Sequence, residues 1–331
     1  MEIKQRILGL DLLRVVAMIL VIIDHTIVVN IDADFGTIMR VLVSGDGVLF
    51  FVVSGAVLLP IMGSNKGFLK KRFQRILPPF IIWSLVYLLL SWYFEGWTLG
   101  ELWKEFYSLP LKPSFGAAWF MYILIGFYLV APIMSVWIKN TSRRWIEYAL
   151  VLWMLSTMIP YASYFVEFPQ NIHETMLSPF VGYLGYMLLG YYIYRYPLHN
   201  ESQRYKLVVW MALLLLAVAL PLRLYFFTEK YGLTYMLYDD LHINIVALVA
   251  ILAILIMRVN RLPKWIAKGV KSFAKLSFGV YLCHMAIYEY MVLPHVQGCQ
   301  DGMLIAFIAT LLCSTLFIWL LSLTPMKRYV C

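Results

Sequence analysis

Apolar stretches long enough to cross a lipid bilayer recur from one end of this sequence to the other, and the charges fall almost wholly between them. A membrane-spanning helix needs about 20 mostly apolar residues. Ten segments fit that requirement: Ile7–Val29, Thr37–Met62, Ile76–Phe94, Ala117–Trp137, Trp145–Tyr161, Pro179–Tyr194, Leu207–Phe227, Leu241–Met257, Leu276–Pro294 and Met303–Leu323. Composition agrees, with 62% hydrophobic residues and only 14% charged, against roughly a quarter charged in ordinary globular domains. The expected fold is therefore an all-α polytopic membrane protein with about ten transmembrane helices. The connecting loops are short, so we expect one membrane domain over residues 1–331 with no fused soluble domain. Asp11 and Arg14 interrupt the first apolar run and no small-residue cleavage site follows it, so it reads as a retained helix rather than a signal peptide.

The basic residues test this count independently. With the N-terminus in the cytoplasm, the tails and inner loops hold 21 of the 27 Lys and Arg residues: Lys4 and Arg6, five in 66–75, three in 139–144, three in 195–206, six in 258–275, and Lys327 and Arg328. The outer loops hold Lys104, Lys112 and Lys230, and the spans hold Arg14, Arg40 and Arg223. Such a bias follows the positive-inside rule, and a miscounted span would scramble it. Both termini are expected on the cytoplasmic side. The net charge of +9 then follows from topology and needs no nucleic-acid partner. Cys283, Cys299, Cys313 and Cys331 have no metal-ligand spacing, so no metal site is expected.

Ionisable side chains inside a span are costly and mark candidate functional positions. Asp11, Arg14 and His25 all lie in the first span. At about 100° per residue, Arg14 and His25 differ by only about 20° in azimuth, and Asp11 falls within about 60° of both. The three form one polar stripe, with His25 about 16 Å beyond Arg14 along the axis, toward the outer half. Imidazole is the natural proton acceptor near neutral pH, although a buried structural histidine is the competing reading. Asp46 stands between Gly45 and Gly47, followed by FFVVSG at 50–55, which includes Ser54. Glycines there permit close helix contact, and packing is the simpler reading of that segment.

The inner loop KGFLKKRFQRILPPF at 66–80 places Arg72 and Arg75 at i,i+3, one face of a helix entering the third span. Two guanidinium forks so placed suit phosphate, and Pro78 and Pro79 are expected to bend or restart the helix beyond them. In the ninth span, Ser277, Tyr281 and His284 follow i, i+4, i+7 and share a face.

Five segments, in order, carry a resemblance: LDLLRVVAMILVIIDH at 10–25, LFFVVSGAVLL at 49–59, KRFQRILPPF at 71–80, WFMYILIGFYLVAPI at 119–133 and LSFGVYLCH at 276–284. With this pattern of spans, the chain resembles the acyltransferase 3 family over essentially its whole length. It is similar in size to bacterial O-acetyltransferases without a fused esterase domain, such as those acting on enterobacterial common antigen. It departs from the family pattern at Val15–Val16, where a small residue is usual after the arginine.

The resemblance implies an O-acyltransferase of the bacterial inner membrane. It would take acetyl groups from cytoplasmic acetyl-CoA, a donor substrate and not a resident cofactor. The acceptor would be a hydroxyl of an extracytoplasmic polysaccharide or its lipid-linked precursor. The family's arginine, histidine and R-x-x-R positions fall on Arg14, His25, Arg72 and Arg75. His25 and Arg14, with Asp11 of the same stripe, are therefore the candidates for the chemistry, and Arg72, Arg75 and Arg14 for the donor. Asp46, Ser54, Tyr281 and His284 are supporting candidates. Ten helices with charges in mid-span also fit an exporter of polysaccharide or lipid-linked sugar. Paired halves are frequent in transporters, and no internal repeat is evident here. The topology has a direct test: cysteines placed in 66–71 and 264–271 should resist impermeant labelling from outside, and those in 98–114 and 230–238 should react. Outside labelling of 66–71 overturns this arrangement.

Overall fold

The computed structural model describes residues 7–27, 39–159, 176–219, 239–297, 299 and 301–330. Lys4, Arg6, Arg223, Lys230 and Cys331 lie outside them. The described residues are helical throughout, without a strand. In chain order the helices are α1 (Leu8–Thr26), α2 (Met39–Leu58), α3 (Asn65–Phe94), α4 (Leu99–Ser108), α5 (Trp119–Lys139), α6 (Arg143–Ser156), α7 (Leu184–Arg195), α8 (Gln203–Leu214), α9 (Ile243–Ile256), α10 (Lys264–Ile287) and α11 (Gly302–Ser322). Among the described residues, five helical segments are long and apolar enough to cross a bilayer: Met39–Leu58, Asn65–Phe94, Gly116–Lys139, Lys264–Val296 and Gly302–Ser322. The chain is thus a multi-pass membrane protein, and each of the ten expected segments contains helix in its described part.

Three details differ from the sequence reading. The helix does not restart at Pro78 and Pro79, and α3 runs through both as one element of 30 residues. α10 begins at Lys264, well before the expected start at Leu276, because its first turns carry lysines that an apolar window rejects. The loop after α3 contains α4, whose Thr98 hydroxyl accepts from Glu101 N–H while the Glu101 carboxylate accepts from Thr98 N–H. That reciprocal cap is written in the sequence as T-x-x-E. The bond from Thr98 N–H also holds the Glu101 carboxyl below its ordinary pKa.

The chain gathers into two compact units. Unit 1 comprises 1–17, 37–60 and 133–262, and unit 2 comprises 18–36, 61–132 and 263–331. Unit 1 is organised on the contact between α2 and α7. A Cβ on Gly55 would stand 1.8 Å from the Met187 carbonyl oxygen, and one on Gly190 would stand 1.9 Å from that of Val52. The two glycines therefore let each backbone lie directly against the other, the close approach by which apolar helices associate without a hydrophobic driving force. α2 is interrupted at Ser44–Gly45, where Gly45 has φ 80°.

Arg143, at the start of α6, ties unit 1 together on one side. It donates to Glu147 (2.7 Å), Glu201 (2.6 Å) and the Tyr192 hydroxyl (2.9 Å). Partial burial works against its charge, yet the bonds to Tyr192, Glu201 and Glu147 prevail and hold its pKa above the ordinary value.

In unit 2, α10 packs against α11 and α3. The 3-10 turn Gly116–Ala118 before α5 also rests on α10. Valine at Gly55 or Gly190 should force α2 and α7 apart. Overpacking costs typically about 1–3 kcal/mol, so either variant should lose several degrees of melting temperature in detergent. Gly126→Ala, with open space around its Cβ position, serves as the control. Equal melting of all three variants would contradict the contact.

Candidate active site

Two histidines meet in unit 2. His25 lies near the end of α1, half-buried, and His284 lies on α10 with no exposed surface. Their ring centroids are 5.3 Å apart with the planes inclined by 33°. His284 Nδ1 is 2.6 Å from the Tyr281 carbonyl oxygen. A carbonyl oxygen only accepts, so Nδ1 carries the hydrogen and donates it. The other nitrogen, Nε2, is then a lone-pair acceptor. It is buried and has no hydrogen-bond partner among the described residues.

The surroundings hold this turn of α10 firmly. The Tyr281 hydroxyl donates to the Ala117 carbonyl at 2.7 Å, and its ring lies 4.9 Å from Phe120 and 5.6 Å from His284. Tyr87 of α3 enters from another side. Its hydroxyl accepts from Ala286 N–H at 2.8 Å and donates to the Leu282 carbonyl at 3.1 Å. Those are the two backbone groups that pair with each other in a regular α-helix. The hydroxyl thus sits in the ladder of α10, on the turn whose middle residue is His284. The Tyr87 ring is stacked on Phe115, 3.7 Å between centroids and 10° between planes. Beyond it, α10 widens into a π turn at Tyr288–Val292. Side chains inserted into a helix ladder and π turns both distort helices locally, frequently at functional sites. Tyr290 of that turn donates to Glu95 at 2.7 Å and accepts from Ser91 at 3.2 Å, tying it to the end of α3.

The remaining candidates divide between the units. Asp11 and Arg14 form an ion pair of 3.0 Å on α1; the Asp11 side chain is buried and that of Arg14 is 30% exposed. Asp46 accepts from Gly47 N–H at 2.6 Å, and the Ser54 hydroxyl donates to the Phe50 carbonyl at 2.8 Å. All four residues belong to unit 1. Arg72 and Arg75 are on α3 in unit 2, together with His25, Tyr281 and His284. Arg72 is half-buried with its guanidinium carbon 5.6 Å from the centroid of the Phe68 ring, and Arg75 is exposed. At 1.5 Å per residue, these arginines precede Tyr87 by about 20 Å along the same helix. Tyr87 and the carbonyl of Ala117 were not legible as site residues. One tyrosine in an apolar run and one alanine in a loop carry no signal until the fold brings them to α10.

A family model described as an acyltransferase domain, that of the acyltransferase 3 family, matches residues 7–323. No curated protein and no solved structure gives a significant match. The hydrogen bonding separates bracing groups from reactive ones. The single hydroxyl proton of Tyr281 is taken by Ala117, so Tyr281→Phe removes one buried hydrogen bond worth about 1 kcal/mol. Acyl transfer by Tyr281→Phe should stay within about tenfold of wild type, with melting lowered slightly. A loss of a thousandfold with unchanged melting would place the hydroxyl in the chemistry instead.

Proposed function

Because the chain belongs to the acyltransferase 3 family, we propose that it transfers an acetyl group from cytoplasmic acetyl-CoA to a hydroxyl of a cell-envelope polysaccharide or its lipid-linked precursor. The proposed setting is the bacterial inner membrane, spanned about ten times with both termini in the cytoplasm. The observation that carries this reading is the arrangement of unit 2. One helix, α3, bears the Arg72–Arg75 forks and, about 20 Å farther along, delivers Tyr87 to the turn that holds His284 beside His25.

In this reading Arg72 and Arg75 grip the phosphates of the donor, for which planar guanidinium forks are suited. The long arm of CoA carries the thioester from there toward the histidines. His25, half-buried and so reachable, takes the proton of the acceptor hydroxyl. The oxygen–carbon bond forms as the carbon–sulfur bond breaks, and His25 returns the proton to the sulfur, so CoA leaves as the thiol. Alternatively, a ring nitrogen of His25 attacks the thioester carbon as the carbon–sulfur bond breaks and CoA leaves as the thiolate. The acceptor oxygen then takes the acetyl group as the carbon–nitrogen bond breaks, and its proton goes to the thiolate. Within unit 1, Asp11 holds the guanidinium of Arg14 in an ion pair of 3.0 Å. No particular observation in the structure favours export of a glycan.

Donor binding and transfer by purified protein test the reading. Loss of a hydrogen bond to a charged group costs about 1.5–3 kcal/mol, so Arg72→Ala and Arg75→Ala should each weaken acetyl-CoA binding by roughly ten- to a hundredfold. Lysine should restore only part of the affinity, because a point charge lacks the fork. His25→Gln should bind the donor and fail to transfer, since glutamine cannot accept a proton near neutral pH. Unchanged affinity in both alanine variants returns the arginines to a purely topological role. Near-normal turnover in His25→Gln removes this histidine from the chemistry.

A further inference from the structure

Resting on the proposed chemistry of His25, we propose that His284 is its positioning residue. Its Nε2 lone pair receives the single N–H of neutral His25, which fixes the nitrogen that stays open for the acceptor's proton. Three observations converge on this assignment. The bond from Nδ1 to the Tyr281 carbonyl fixes the tautomer of His284, so at Nε2 it can receive a hydrogen bond and cannot give one. That nitrogen is buried with no partner among the described residues, and an unsatisfied buried acceptor costs about 1–3 kcal/mol. The ring beside it is that of His25, 5.3 Å away between centroids. That separation is about the one at which two imidazole rings share an N–H···N bond.

The turn that carries His284 is held on several sides. The Tyr87 hydroxyl bridges Leu282 and Ala286, two residues before and two after the histidine. The Tyr281 hydroxyl is anchored on Ala117, and Phe115 is stacked on Tyr87. In hydrolytic triads a carboxylate holds the catalytic imidazole in its correct tautomer. Here a neutral, tautomer-locked imidazole does so without placing another charge among apolar helices, where charges are costly. Tyr87 acts one step further out, by holding the His284 turn in place through its two bonds to that turn's backbone.

The test combines kinetics with nitrogen NMR on full-length protein labelled at histidine with 15N. In His284→Leu, which offers no acceptor, kcat for acetyl transfer should fall about a hundredfold, the range of a positioned general base, while KM for acetyl-CoA stays unchanged. In the same variant His25 should pass from one tautomer to a mixture. His284→Gln, which offers an acceptor oxygen, should recover to within about tenfold of wild type. Wild-type kcat and a single His25 tautomer in His284→Leu would overturn the proposal. Should that variant fail to fold, the wild-type spectrum decides. A hydrogen-bonded Nε2 of His284 supports the assignment, and a free one overturns it. The tautomer readings do not depend on turnover, so failure of the broader reading, shown by transfer in His25→Gln, is distinguishable from failure of this one.

Discussion

A polar group buried among apolar helices has only the chain itself as a partner. Unit 2 meets that constraint at nearly every point around His284. The hydroxyl of Tyr87 both gives and receives within the α10 ladder, that of Tyr281 reaches a loop carbonyl, and Nδ1 of His284 finds the carbonyl one turn back. Among the described residues four buried side-chain atoms lack a partner, the hydroxyls of Ser114, Thr310 and Thr315 and Nε2 of His284, and the histidine of α1 stands beside the last. A buried lone pair beside a second imidazole marks where a further interaction belongs. The arrangement supplies order before any substrate arrives, and a proton-transferring group works best when its geometry is fixed beforehand.

Unit 1 meets the same constraint both within its helices and between them. Ser54 and Ser156 bond back to carbonyls of their own helices. Asp46 accepts from the next backbone N–H, and Arg143 gathers two glutamates and a tyrosine. Its main helix contact comes from absent side chains, at Gly55 and Gly190, which allow backbone to meet backbone. The Asp46 and Ser54 candidates have local structural partners there, whereas Tyr281 and His284 are in the same unit as His25.

Much of this was legible in the sequence because bilayer physics leaves strong marks. Apolar runs and basic loops indicated helices, and the i, i+4, i+7 spacing of Ser277, Tyr281 and His284 indicated a face that is indeed buried. The spacing of Asp11 and Arg14 gave one helix face, on which they form an ion pair. Other features escaped because they depend on contacts between residues far apart in the chain. Tyr87 reads as one aromatic among many in WSLVYLLLSW, and its insertion into α10 joins positions about 200 residues apart. The early start of α10 was hidden by Lys264, Lys268, Lys271 and Lys275, whose charges mask a helical stretch from any hydropathy window. The α4 helix was hidden differently. Its T-x-x-E cap was present, but it fell in a loop read only for charge.

The central claim is that this protein moves an acyl group rather than a glycan. Proteoliposomes containing the purified protein, supplied with labelled acetyl-CoA on one side and a lipid-linked glycan acceptor in the membrane, separate the two directly. Label covalently attached to the glycan, with one CoA thiol released per acetyl group transferred, is the result the account predicts. Movement of unmodified glycan across the membrane, with the thioester left intact, would contradict it.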